Sequence, residues 1–98
     1  MKMTSRIYNV RTSKRYRHEL KNVLSKGKDE AKLEYAIDIL ASGETLPRYY
    51  SDHPLSGSWK GYRECHIESD WLLVYRIYKD ELILMLMSTG THSDIFGM

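Results

Sequence analysis

WLLVYRIYKDELILMLMS, residues 71–88, is a pair of apolar runs hinged on a short charged break. Trp71 to Lys79 is dense in strand-forming residues, Lys79-Asp80 supplies a tight turn, and Glu81 to Ser88 resumes the apolar run. Two such runs on so short a connection predict an antiparallel hairpin. Both are almost continuously apolar instead of alternating. That predicts central strands of a sheet covered by other elements.

Working outward, Glu68-Ser69-Asp70 makes a turn in front of this hairpin, and a further strand is predicted from about Trp59 to Ile67. LPRYYSDHPLSGSWKG, residues 46–61, holds both prolines, two glycines and four serine or aspartate residues. It predicts a loop. Upstream, Tyr16, Leu20, Val23 and Leu24 recur at i, i+4, i+7 and i+8, the stripe of an amphipathic helix. Thr12 or Ser13 can cap its start, and Gly27 is a natural stop. Asp29 can cap a second helix, with Leu33, Ala36, Ile37 and Leu40 as its stripe and Gly43 at its end. RIYNV, residues 6–10, predicts an opening strand. The order is therefore β-α-α-β-β-β with a short C-terminal tail or helical turn. It predicts an α+β domain spanning residues 1–98, a helical hairpin on a mostly antiparallel four-stranded sheet.

Composition narrows the class. Apolar residues are 42% and charged residues 29% of the 98, which excludes a disordered chain. The net charge of +2 permits a nucleic-acid partner without demanding one. Its distribution matters more than its sum, because Arg11, Lys14, Arg15, Arg17 and Lys21 form an N-terminal cluster. Cys65 is the single cysteine, so no intrachain disulfide can form, which suits a reducing, cytosolic compartment. MKMTSRIYNV lacks the apolar stretch of a signal peptide, and LILMLM, residues 82–87, is far too short to span a bilayer. A cytoplasmic protein with no membrane partner is expected.

Three of the four histidines lie in the second half, His53, His66 and His92, with Asp70 just beyond His66. Histidine titrates near neutrality, so one copy can take a proton while another gives one. RNA cleavage needs that pair: a base for the 2′-hydroxyl and an acid for the departing 5′-oxygen. Trp71 and Phe96 are candidates to stack on a splayed base. A zinc site from the three histidines and Cys65 is disfavoured, because no local pair of ligands exists. No glycine-rich phosphate loop, GxSxG or HExxH occurs.

DHPL (52–55), GSWKGYR (57–63), CHIESDW (65–71) and TGTH with Phe96 resemble the YafQ-type toxins of the RelE/ParE superfamily. The matching stretch, about 52–97, is half the chain; the helical hairpin agrees in pattern only. The resemblance implies a toxin of a type II toxin–antitoxin system, a ribosome-dependent endoribonuclease (an mRNA interferase) that cuts mRNA in the decoding site. It implies His53, His66, Asp70 and His92 as the acid–base and phosphate-handling group, with Trp71 and Phe96 as supports. It implies no metal and no cofactor. It further implies a cognate antitoxin, which with the toxin represses their operon, so that operator DNA is met only through the antitoxin.

The chain departs from the family at Ser88, where an arginine, a phosphate clamp, is expected. Arg63, Arg76 and Lys60 are the cations available to replace it. Losing one such donor costs about 10²–10³ in rate. Two other functions share this fold: a ParE-like gyrase inhibitor, which would not need the histidine set, and a degenerate toxin acting only in antitoxin binding and autoregulation.

Overall fold

The computed structural model describes residues 6–97. Its sheet has five strands, in the spatial order β1 (Asn9–Thr12), β5 (Ile83–Gly90), β4 (Trp71–Tyr78), β3 (Arg63–Glu68) and β2 (His53–Pro54). β1 runs parallel to β5, and the other three pairings are antiparallel. The two helices of the hairpin are α1 (Lys14–Ser25) and α2 (Glu30–Ala41), and a short α3 (His92–Phe96) closes the chain. None of the described helices is long and apolar enough to cross a membrane.

The expected four-stranded sheet gains a fifth strand, because His53-Pro54 leaves the polar loop and pairs with Glu64 and Arg63. Proline lacks an N–H and so suits such an edge position. The first strand begins three residues later than expected. The N–H groups of Ile7 and Tyr8 go to the Ala41 carbonyl at the end of α2 instead of to the sheet. β3 begins at Arg63, not Trp59, since Gly57–Trp59 winds into a single 3₁₀ turn. β5 starts at Ile83, because Leu82 takes a left-handed conformation (φ 55°) in the turn, and it continues through Gly90.

Caps explain the helix limits. The Ser13 side chain accepts from Tyr16 N–H and donates to the Met87 carbonyl, so one hydroxyl starts α1 and ties it to β5. The Asp29 carboxylate caps α2 through Ala31 N–H. A side-chain cap of this kind contributes about 1 kcal/mol.

The two faces of the sheet have different cover. Cys65, Trp71, Leu73, Tyr75, Leu84 and Leu86 pack under Tyr16 and Val23 of α1 and Leu33, Ala36, Ile37 and Leu40 of α2. Leu72 and Val74 point the other way, where only Ile95 of α3 and the half-buried Leu55, Trp59, Tyr62, Met87 and Phe96 cover them. That thinner cover leaves room for a site at one end of the second face.

Candidate active site

Strand periodicity delivers the first members of the site. Glu64 pairs with Val74 and His66 with Leu72, so both side chains share the face opposite the helices, while Cys65 between them enters the helix-covered core. His53 pairs with Glu64 across the β2–β3 ladder and joins the same face. A bulge between His66 and Glu68 ends this alternation and turns the chain toward Asp70.

His92 arrives from the far end of β5. Gly90 pairs with Leu72 at φ 149°, and a Cβ there would stand 3.1 Å from the Asp94 side chain. The close approach is needed because Asp94 completes a capping box: Thr91 Oγ1 accepts from Asp94 N–H, and Asp94 accepts from Thr91 N–H. The box folds α3 back over the sheet with His92 as its first residue. The His92 backbone N–H donates to Asp70 Oδ1 at 3.3 Å, and its Nδ1 lies 3.6 Å from the same oxygen.

The histidines converge on a carboxylate absent from the expected set. Glu64 Oε2 lies 2.9 Å from His53 Nε2, 4.0 Å from His66 Nε2 and 3.8 Å from His92 Nε2. Glu64 is 5% exposed, whereas His53 and His92 are exposed. The His66 and His92 rings are 5.8 Å apart between centroids, and His92 lies 6.1 Å from Phe96. Phe96 meets Trp59 edge to face at 5.5 Å, extending the site into an aromatic wall.

The other expected residues fall in different places. Trp71 is 1% exposed on the helix-covered face, where its Nε1 donates to Thr89 Oγ1, so it is not open to stack on a base as anticipated. Arg63 is bonded to Asp52 at 2.8 Å; burial opposes its charge, but the Asp52 bond and charge outweigh this and raise its pKa. Arg76 stacks against Tyr62 and Tyr78. Lys60 is exposed just past the Gly57–Trp59 turn. Ser88 is fully buried and donates to Glu19 Oε1 at 2.5 Å, so its position is filled by contacts with α1. Arg15, also from α1, lies over the Trp59 ring at 5.3 Å and donates to the Ile95 carbonyl. Burial, then the charges of Asp52 and Glu64, push the Cys65 thiol far above its usual pKa, which rules it out as a nucleophile.

Glu64 was absent from the expected site, while Trp59 was expected only as the start of a strand and Arg15 only as part of the basic cluster. Glu64 alone carried a usable signal, because it lies two residues from His66 on a predicted strand. One donor atom from each of His53, Glu64 and His66 fall within 4.8 Å of one another, a spacing that could also hold a metal ion.

An α+β domain with three histidines gathered on the sheet face opposite its helical hairpin has the architecture of a toxin of the bacterial type II toxin–antitoxin class. The family model for the YafQ toxins of that class matches residues 8–97, and the chain belongs to this family. It is 40% identical over 90 residues to the mRNA interferase toxin YafQ of Escherichia coli K12, covering 91% of this chain and 96% of that one. The E. coli toxin in the crystal structure of the DinJ-YafQ toxin-antitoxin complex superposes with a TM-score of 0.84 at 39% identity, over 93% of this chain and 99% of that one. A metal-bound toxin from Helicobacter pylori superposes with a TM-score of 0.86 at 40% identity, over 91% and 99% of the two chains.

Proposed function

We propose that this chain is an mRNA interferase that cleaves ribosome-bound mRNA by general acid–base catalysis and is held inactive by a cognate antitoxin. The observation that carries this proposal is the gathering of three imidazoles and two carboxylates on one open face, with an aromatic wall alongside. A site with two rings that can exchange protons at neutral pH suits attack of a 2′-hydroxyl on its own 3′-phosphate.

His66 and His92 take the two roles. The His66 Nδ1 faces the Ser69 carbonyl at 3.4 Å and donates to it, because a carbonyl only accepts; Nε2 then keeps its lone pair. Nε2 takes the 2′-hydroxyl proton as the oxygen bonds to phosphorus. His92, its Nδ1 backed by Asp70, gives a proton to the 5′-oxygen as the P–O5′ bond breaks. The products are a 2′,3′-cyclic phosphate and a 5′-hydroxyl. Charge on the phosphorane is met by Lys60 and by the protonated rings, and Phe96 stacks on a neighbouring base. Exposed Arg11, Lys14, Arg17 and Lys21 on and before α1 offer phosphate contacts to ribosomal RNA.

A metal on His53, Glu64 and His66 would compete with proton transfer for the His66 ring, so the reaction is assigned to the metal-free chain. The test is primer extension on mRNA from a purified translation system. Wild-type protein should give discrete cuts, and His92→Ala should slow cutting about 10²–10⁴-fold while leaving the fold intact. Intact mRNA with folded wild-type protein and programmed ribosomes would refute the proposal. Inhibition of gyrase supercoiling would support the ParE-like alternative instead.

A further inference from the structure

Glu64 combines three properties that seldom occur together. It is 5% exposed, its Oε1 has no hydrogen-bond partner among the described residues, and its Oε2 lies within 4.0 Å of an Nε2 on each of three histidines. A buried carboxylate oxygen without a donor destabilises a fold, and an apolar residue of similar size does better at such a position. Val74 beside it and Leu72 two residues on show that this face accepts apolar side chains. Glu64 is therefore not explained by stability.

Its geometry gives it another task. The His53 Nδ1 lies 3.1 Å from the Pro54 carbonyl, which can only accept, so Nδ1 donates. Nε2 of the same ring is 2.9 Å from Glu64 Oε2. The ring is thus clamped at both nitrogens, Nδ1 against the Pro54 carbonyl and Nε2 against the Glu64 carboxylate. Among the described residues no other side chain bonds to the His53 ring. The same oxygen also lies 4.0 Å from His66 Nε2 and 3.8 Å from His92 Nε2, the two rings to which the proton transfers are assigned.

We propose that Glu64 is the positioning residue of the site, acting through His53 to fix the histidine group, and retained at a cost in stability. This rests on the interferase reading above. Glu64→Gln keeps the shape and a hydrogen-bonding group but removes the charge, and Glu64→Leu removes both. Both variants should melt at or above the wild-type temperature. Their single-turnover cleavage of ribosome-bound mRNA should be slower by about 10²-fold, the scale of a misplaced catalytic group, with half-saturation by ribosomes unchanged. In a His53→Ala background, Glu64→Gln should change the rate less than about threefold, because residues acting as one unit are not additive.

The proposal is overturned if Glu64→Gln cleaves at the wild-type rate. It is equally overturned if its effect multiplies in full with that of His53→Ala, or if rate and melting temperature fall together in Glu64→Gln. If Glu64→Leu does not fold, buried-charge cost is the wrong account of this position, and that result also counts against the proposal. Wild-type protein that leaves mRNA intact would remove the interferase reading; active wild type with full-rate Glu64→Gln would remove this inference alone.

Discussion

The indole Nε1 of Trp71 donates to Thr89 Oγ1 across 3.0 Å, and the Thr89 hydroxyl in turn donates a hydrogen bond to the Leu72 carbonyl at 2.7 Å. All of this is buried. The chain of two bonds locks the last turn of β5 against β4, one residue before Gly90 and three before His92. Trp71 thus influences the site from the opposite side of the sheet. Trp71→Phe should cost about 2–4 kcal/mol, from lost volume and an indole bond that is not replaced. Chemical denaturation would measure it, and the rate of mRNA cleavage in the folded fraction should fall as well, because α3 loses its anchor.

Glu19 makes a comparable fastening at the edge of β5. Its carboxylate accepts from the Ser88 hydroxyl, the Thr89 backbone N–H and Arg15 Nε. Glu19→Ala should destabilise by about 2–3 kcal/mol, since it leaves a buried hydroxyl and a backbone donor without their acceptor. It also frees Arg15 from one of its tethers above Trp59. Thermal unfolding tests the first effect, and the change in Trp59 fluorescence tests the second.

Acid should loosen the hairpin before it disturbs the sheet. Hydrogen bonds from Lys28 and Lys32 hold the Glu68 carboxyl below the usual carboxylate range and join the start of α2 to the end of β3. A depressed carboxylate pKa contributes stability that is fully present above its unfolded value and disappears as pH falls through the folded one. Glu68→Gln should therefore be less stable than wild type at neutral pH and indistinguishable from it in strong acid. Denaturation midpoints across pH 2–7 would show the two curves converging on the acid side. The pair is at the surface, so the gap should also narrow in high salt.

Metal loading separates two uses of one group of side chains. His53, Glu64 and His66 are spaced to accept an ion such as Zn²⁺. If His66 takes the proton directly, zinc held by this group should slow cleavage and should bind less tightly to His53→Ala. A chelator that spares magnesium should leave the activity of untreated protein unchanged. Loss of activity on chelation would assign the reaction to the metal-bound form instead.

Much of the fold was legible because its decisive signals are local. The dense strands of residues 71–88, the helical stripe of Tyr16, Leu20 and Val23, and the caps at Ser13 and Asp29 depend on neighbours within a few positions. The failures also have local causes. His53-Pro54 reads as loop because it is too short for a period, and it becomes a strand only because Glu64 and Arg63 offer a ladder edge. Trp59 reads as strand entry because it is a strand former, yet the Gly57–Trp59 turn brings it to Phe96 instead.

The candidate site divides in the same way. Residue type made His53, His66, Asp70 and His92 candidates for acid–base work, and the family resemblance grouped them; on β3, period two puts Glu64 and His66 on one face. Which face that is was decided only by tertiary structure: the helices cover Cys65, Leu73 and Tyr75, leaving Glu64, His66 and Leu72 to the other side. The same packing buried Trp71 and Ser88, and brought Arg15 over the sheet edge. Glu64 gained its meaning there too. A carboxylate two residues from a histidine is ordinary along a strand; three imidazoles meeting it require the β2–β3 register, the bulge after His66 and the fold-back at Gly90 to act together. Those contacts join residues far apart in the chain, and local pattern does not encode them.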